Sequence, residues 1–289
     1  MRGARLSRIR LISPDLGRIA AFYRSALGFA DAGDARDGES GRLLTLGREA
    51  IEIITPNPIG AVYPPGIDGA SPLFQHFAIV VSDMHEAYAH LCAQGGWVPI
   101  SQGGPQKLPA SSGGVIAFKF RDPDGHPLEL IEFPGGSSSV WPKVASAIFL
   151  GIDHSALSVA DTARSAKFYA DLGFERRGGS SNHGREQSQL DGMMDAEVDV
   201  TSLAAYPEPP HVELLCYGQR KRDDRPAEIN DVAATQLVFS VADPSSLATA
   251  ARNAAHVIFT NARHTVLRDP DGHLIRLEAA SHPPVAKPG

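Results

Sequence analysis

The sequence predicts an α+β protein of four βαβββ modules in two tandem halves, with curved, mostly antiparallel sheets. Three observations predict it. The string DPDGH at 122–126 returns at 269–273, 147 positions later. Phe22-Tyr23 with Leu27-Gly28-Phe29 is echoed by Phe168-Tyr169 with Leu172-Gly173-Phe174, and Tyr169 follows Tyr23 by 146 positions. Two distant markers that share nearly one offset mean two homologous halves rather than chance echoes. Finally, 28 Gly and 22 Pro point to many turns between short strands.

The first half spans 1–134 and the second 149–281. Residues 135–148 between them are rich in Gly, Ser and Pro and read as a linker, and 282–289 as a frayed tail. Module one opens with a strand at 7–12. A helix at 14–27 follows, with Leu16, Ile19, Ala20, Tyr23 and Leu27 along one face, then strands at 43–46 and 50–55. Module two has a strand at 75–81 and a helix at 83–94 capped by Ser82 or Asp83, then strands at 98–100, 115–121 and 127–133. Module three runs from a strand at 151–159 through a helix at 161–172 to a strand at 211–216. Module four runs from a strand at 235–241 through a helix at 244–253 to a strand at 274–279. Each DPDG is a tight turn before the last strand of its module, with Pro presetting φ and Gly supplying φ > 0. Helices then cover one side of each sheet and leave the concave side for chemistry.

Composition narrows the function. Of 289 residues, 43% are apolar and 21% charged, and the formal net charge is −6. That balance suits a folded domain pair and lacks the dense basic surface of a nucleic-acid binder. No apolar run reaches the roughly 18 residues of a membrane span. The basic N-terminus lacks the apolar core of a secretory signal. Cys92 and Cys216 are the two cysteines, too few for a disulfide framework or a Cys-rich zinc site. A cytoplasmic protein is expected. Both cysteines are expected to pack rather than react, and His126 and His273, after the DPDG turns, to sit in turns or at the surface. The Gly-, Ser- and Pro-rich segment 101–114, with Lys107 as its one cation, is a lid candidate or a surface loop, and 180–187 is the corresponding loop of module three.

Four stretches carry a family likeness: IRLISPDLGRIAAFYRSALGF, IDHSALSVADTARSAKFYADLGF, QHFAIVV and DPDGHPLEL. The chain resembles the vicinal oxygen chelate superfamily, which includes glyoxalase I, extradiol dioxygenases, methylmalonyl-CoA epimerase and bleomycin-resistance proteins. The resemblance covers both halves and implies two tandem glyoxalase-like domains. It also implies metal-ligand positions on the first and last strand of each module. These positions hold Arg8 and Glu52, His76 and Glu129, His154 and Glu213, and Gln236 and Arg276. A site needs two facing modules. If each half paired its own modules, each site would contain an Arg, which cannot ligate a metal. If module two faces module three, His76, Glu129, His154 and Glu213 form a complete two-His, two-carboxylate set. The residue types favour that arrangement. Arg8, Glu52, Gln236 and Arg276 are then left over, with the arginines and Glu52 read as a salt-bridged vestige or an anion pocket.

That donor set suits a divalent Zn, Ni, Co, Fe or Mn ion. The resemblance then implies a metal-dependent lyase or isomerase of the glyoxalase type. It would act on a small substrate with vicinal oxygens through an enediolate-like intermediate, with Glu129 as proton-transferring base and Glu213 as second candidate. Glutathione is not expected. Ser158 or Ile12 stands where the family has its anchoring Arg, and Tyr217 or Pro56 where it has its Asn. An extradiol-type dioxygenase is the first alternative. Gln236 and Arg276 break its usual ligand pattern in modules three and four, and Arg8 breaks the pairing of modules one and four. A non-catalytic small-molecule or drug binder is the second. A monomer or a homodimer is compatible with either pairing.

Overall fold

The computed structural model describes residues 4–136, 141, 147–218, 225–244 and 256–280. The tail, all but the first residue of the helix expected at 244–253, and most of the linker lie outside the described residues. Module one comprises β1 (Arg5–Ile12), α1 (Leu16–Leu27), β2 (Ala30–Asp34), β3 (Gly41–Leu46) and β4 (Glu49–Ile54). Module two comprises β5 (His76–Val81), α2 (Met84–Gln94), β6 (Val98–Pro99), β7 (Gln106–Lys107), β8 (Ile116–Arg121) and β9 (Pro127–Glu132). Module three comprises β10 (Phe149–Ser158), α3 (Thr162–Asp171), β11 (Glu175–Asn182), α4 (Arg185–Asp191), β12 (Val198–Ala204) and β13 (His211–Cys216). Module four comprises β14 (Gln236–Val241), β15 (His256–Thr260), β16 (His264–Arg268) and β17 (Leu274–Ala279). Among the described residues, no helix is long and apolar enough to cross a membrane.

The helices begin where the sequence provides a cap. Asp15, Asp83 and Asp161 each accept a hydrogen bond from the backbone N–H three residues on. α1 stops at Gly28, whose φ of 72° is the left-handed conformation that favours glycine.

The sheets do not follow the sequence halves. Modules four and one form one sheet, in the order β15-β16-β17-β14-β1-β4-β3-β2. Modules three and two form the other, in the order β11-β12-β13-β10-β5-β9-β8-β6, with β7 on β8. Each sheet is joined at its middle by one antiparallel seam, β1 to β14 and β10 to β5.

The sequence halves are instead tied on the helical side, and the repeated markers make the ties. Tyr23 is fully buried and its hydroxyl donates to Asp122 Oδ2 at 3.0 Å. Tyr169 repeats this with Asp269 Oδ2 at 3.1 Å. Ser13 and Arg18 reach Asp124, and Arg164 and Ser165 reach Asp271. The Phe-Tyr and DPDGH motifs therefore persist as partners of one another. His126 and His273 close their turns, as expected, through hydrogen bonds to Asp122 and Asp269, but neither lies at the surface. The DPDG turn docks under a helix instead of facing solvent, so both are buried, with His126 Nδ1 at 2.8 Å from Asp122 and His273 Nε2 at 2.9 Å from the Ser158 carbonyl.

Segment 180–187 is also corrected. Residues 180–182 end β11, and α4 starts at Arg185 after Gly184 at φ 93°. Residues 180–182 pair with β12, and Asn182 and Gln187 of this segment are buried. The segment at 101–114 is held at its start, where Ser101 Oγ donates to the Leu190 carbonyl and Gln102 N–H to the Gln189 carbonyl.

Candidate metal centre

Sheet register builds the site. Across the β10–β5 seam His154 lies opposite Ala78, and Ala156 opposite His76. Ala156 also lies opposite Glu213 on β13, and Ala78 opposite Glu129 on β9. Residues two apart on a strand share a face. His76, Glu129, His154 and Glu213 therefore surround two small side chains, and their longer side chains converge above them. The equivalent positions of the other sheet carry Arg10 in place of Ala156 and Val238 in place of Ala78.

The convergence is tight. His76 Nε2 is 3.0 Å from Glu129 Oε2. His154 Nε2 is 3.8 Å from Glu129 Oε2 and 3.6 Å from Glu213 Oε2. Atoms held at about 2.1 Å by one cation stand about 3.0 Å apart at right angles and about 3.4 Å apart at the tetrahedral angle. The His76–Glu129 separation fits that range and the two His154 separations lie a few tenths of an ångström beyond it; the buried group of His76, Glu129 and His154 could hold a metal ion. His76 keeps a second buried nitrogen, Nδ1, without a hydrogen-bond partner, so either ring nitrogen is available.

Three further residues support the cluster. Asp153 Oδ2 sits 3.0 Å from His154 Nδ1, which turns Nε2 toward the carboxylates. Trp141, from the expected linker, donates from Nε1 to Asp153 Oδ1 at 3.0 Å. His211 Nε2 lies 3.3 Å from Glu213 Oε1. Asp153 was invisible to a strict alternation because neighbours on a strand face opposite ways. A register shift between Ile152 and His154 brings it round, the usual effect of a bulge.

Electrostatics keep the carboxylates ionised. Burial opposes charge on Glu129, but its interactions with His154 and His76 outweigh it and hold its pKa far below the ordinary value. Burial likewise opposes charge on His154, yet Glu213 and Asp153 raise its pKa. Burial and the nearby Lys119 lower that of His76.

The four residues border a pocket of about 170 Å³. Lys119 lies in its wall, opposite Glu129 in the β8–β9 pair, with Nζ 2.7 Å from Asp191 Oδ1. The alternation Phe118-Lys119-Phe120 is a sequence signal for a cation on the site face. Nothing comparable marked Asp191, which α4 carries in.

The leftover residues form an ion-pair network in the other sheet. Arg8 donates to both oxygens of Glu278, at 2.8 and 2.9 Å, and to Glu52 at 3.2 Å. Arg276 donates to Glu278 at 2.6 Å, and Arg10 lies 3.3 Å from Glu52. Gln236 is buried beside them.

The model of the Glyoxalase/Bleomycin resistance protein/Dioxygenase superfamily matches residues 5–130 and 151–277. The chain belongs to this superfamily. Glyoxalase I from Zea mays superposes with a TM-score of 0.66 at 18% identity, over 96% of this chain and 92% of that one. A point mutant of the same maize enzyme gives 0.67 at 17%, over 96% and 94%. A candidate dioxygenase from Bacillus subtilis gives 0.61 at 14%, over 97% and 86%. At these identities the likeness to the solved structures is one of fold. No curated protein matches the chain. Superfamily membership and the buried His/Glu group point to an enzyme that uses a metal and a small molecule.

Proposed function

We propose that the chain is a divalent-metal-dependent lyase or isomerase of the glyoxalase type, acting without glutathione on a small substrate with two adjacent oxygens. One observation carries this reading: His76, Glu129, His154 and Glu213 converge over Ala78 and Ala156, with Asp153 orienting one imidazole. His76, His154, Glu129 and Glu213 would hold the ion, and two carboxylates balance its charge. A divalent cation there supplies Lewis acidity toward a carbonyl and keeps positions open for substrate oxygens. Glu129 and Glu213 face the same pocket and serve as the pair that takes a proton from carbon and returns it.

The residues at the family's two glutathione positions support the absence of glutathione. Ser158, at the family's Arg position, spends its hydroxyl on the Gly69 and Phe74 carbonyls. Tyr217, at the Asn position, spends its hydroxyl on Asp191 at 3.1 Å.

Metal content tests the reading. After reconstitution we expect about one metal per chain in the native protein and in Gln236→Ala, and loss in His76→Ala and His154→Ala. Equal content in all four would sink the assignment, and no metal at all would favour a non-catalytic binder. Asp153→Asn is expected to weaken metal affinity about 10–100-fold in competition with a chelator, because His154 loses its orienting carboxylate.

One observation favours a second reading. Glu213 is drawn toward His211, which leaves His76, Glu129 and His154 as a two-His, one-carboxylate set of the kind that binds iron(II) in oxygenases. Selective iron(II) retention with oxygen uptake on catechols would favour the dioxygenase.

A further inference from the structure

The pocket wall contains a hydrogen-bond acceptor that the metal-site reading leaves unused. Gln187 on α4 is 4% exposed and borders the pocket. Its Nε2 donates to Asp191 Oδ2 at 2.7 Å. A carboxylate only accepts, so chemistry fixes which way this amide points. Asp191 is itself fixed, with Lys119 Nζ at 2.7 Å on one oxygen and the Tyr217 hydroxyl at 3.1 Å on the other. Gln187 Oε1 is therefore held as a buried acceptor, and it has no hydrogen-bond partner. Asn182, on β11, is a second buried amide on the same pocket.

Buried polar atoms need partners. The Gln187 oxygen, on a residue of the pocket wall, calls for a donor from whatever fills the pocket. A carboxylate group supplies only acceptors. Lys119, the cation that could offset one, is engaged by Asp191.

We propose that Gln187 is a specificity-determining residue and that the substrate is a small neutral hydroxycarbonyl. Its carbonyl and adjacent hydroxyl occupy the metal side, and a further hydroxyl donates to Gln187 Oε1. Asp191 acts as the positioning residue behind it. The proposal rests on the metal-site reading.

The test compares two ligands that differ by one hydroxyl, dihydroxyacetone and hydroxyacetone, by calorimetric or NMR titration of zinc-loaded protein. The native protein is expected to bind dihydroxyacetone about tenfold more tightly. In Gln187→Leu the two affinities become equal while that for hydroxyacetone is unchanged. Gln187→Met serves if the Leu variant fails to fold. A ratio that survives in the variants overturns the proposal. So does binding of neither ligand, or tighter binding of lactate than of dihydroxyacetone. Metal content of the same samples separates the two readings. If the protein retains no metal, the functional reading fails, and the ratio measured on that protein still decides the role of Gln187.

Discussion

Glu129→Gln and Glu213→Gln are each expected to slow α-proton exchange about 10²–10⁴-fold, the range for losing a general acid–base. The readout is loss of the α-proton NMR signal from small hydroxy- and dicarbonyl compounds in D₂O. It works whatever the product is. Metal content is measured alongside, so that loss of the ion is not mistaken for loss of the base. A large fall in one variant alone assigns the base to that residue. Unchanged exchange in both would remove the carboxylates from proton transfer. Native protein that retains metal but exchanges no α-proton would leave the dioxygenase reading ahead.

Lys119→Met is expected to destabilise the protein by about 3–5 kcal/mol, measured by urea unfolding. The side chains of Lys119 and Asp191 are 5% and 1% exposed, so solvent screens the pair little. Burial opposes the Lys119 charge, but Asp191 and Glu129 outweigh it and raise the pKa. The stabilisation is therefore complete at neutral pH. It is lost only as pH rises through a folded-state value above lysine's ordinary one. Met keeps the length of the side chain and leaves Asp191 charged without its cation. The double variant Lys119→Met/Asp191→Asn is expected to recover most of the loss, because Asn still accepts from Gln187 and Tyr217. A single-variant cost below about 1 kcal/mol would mean that the pair contributes little to folding.

The Arg8 network is the counterpart that makes no metal site. Burial opposes ionisation of Glu278, yet hydrogen bonds from Arg8, its charge, and Arg276 lower its pKa. Three guanidinium groups stand where the other sheet has one imidazole, one alanine and one carboxylate. That exchange of residue types is enough to turn a ligand cluster into a set of ion pairs.

Much of this was legible before folding. The repeat offset identified two halves, and the apolar spacing placed α1, α2, α3 and the first strand of every module. The family-equivalent positions named His76, Glu129, His154 and Glu213, and the two arginines argued against pairing modules within a half. Alternation along a strand carries this information because backbone geometry alone sets which side chains share a face. Other features depended on groups remote in sequence. Trp141 and Asp153 reach His154 through a bulge that periodicity does not encode. The segment at 180–187 becomes strand and helix because its start pairs with β12 and Asn182 and Gln187 are buried at the pocket, and local composition carries no record of that. Asp191 gains its role only where α4 meets β8 of another module. The sequence by itself determined the modules, the seam residues and the type of donors. Tertiary structure alone decided which polar groups stand behind the four side chains, and which buried amide oxygen is left without a partner. These are outcomes of packing between distant segments, set by the burial of charges and hydrogen-bonding groups that must find partners.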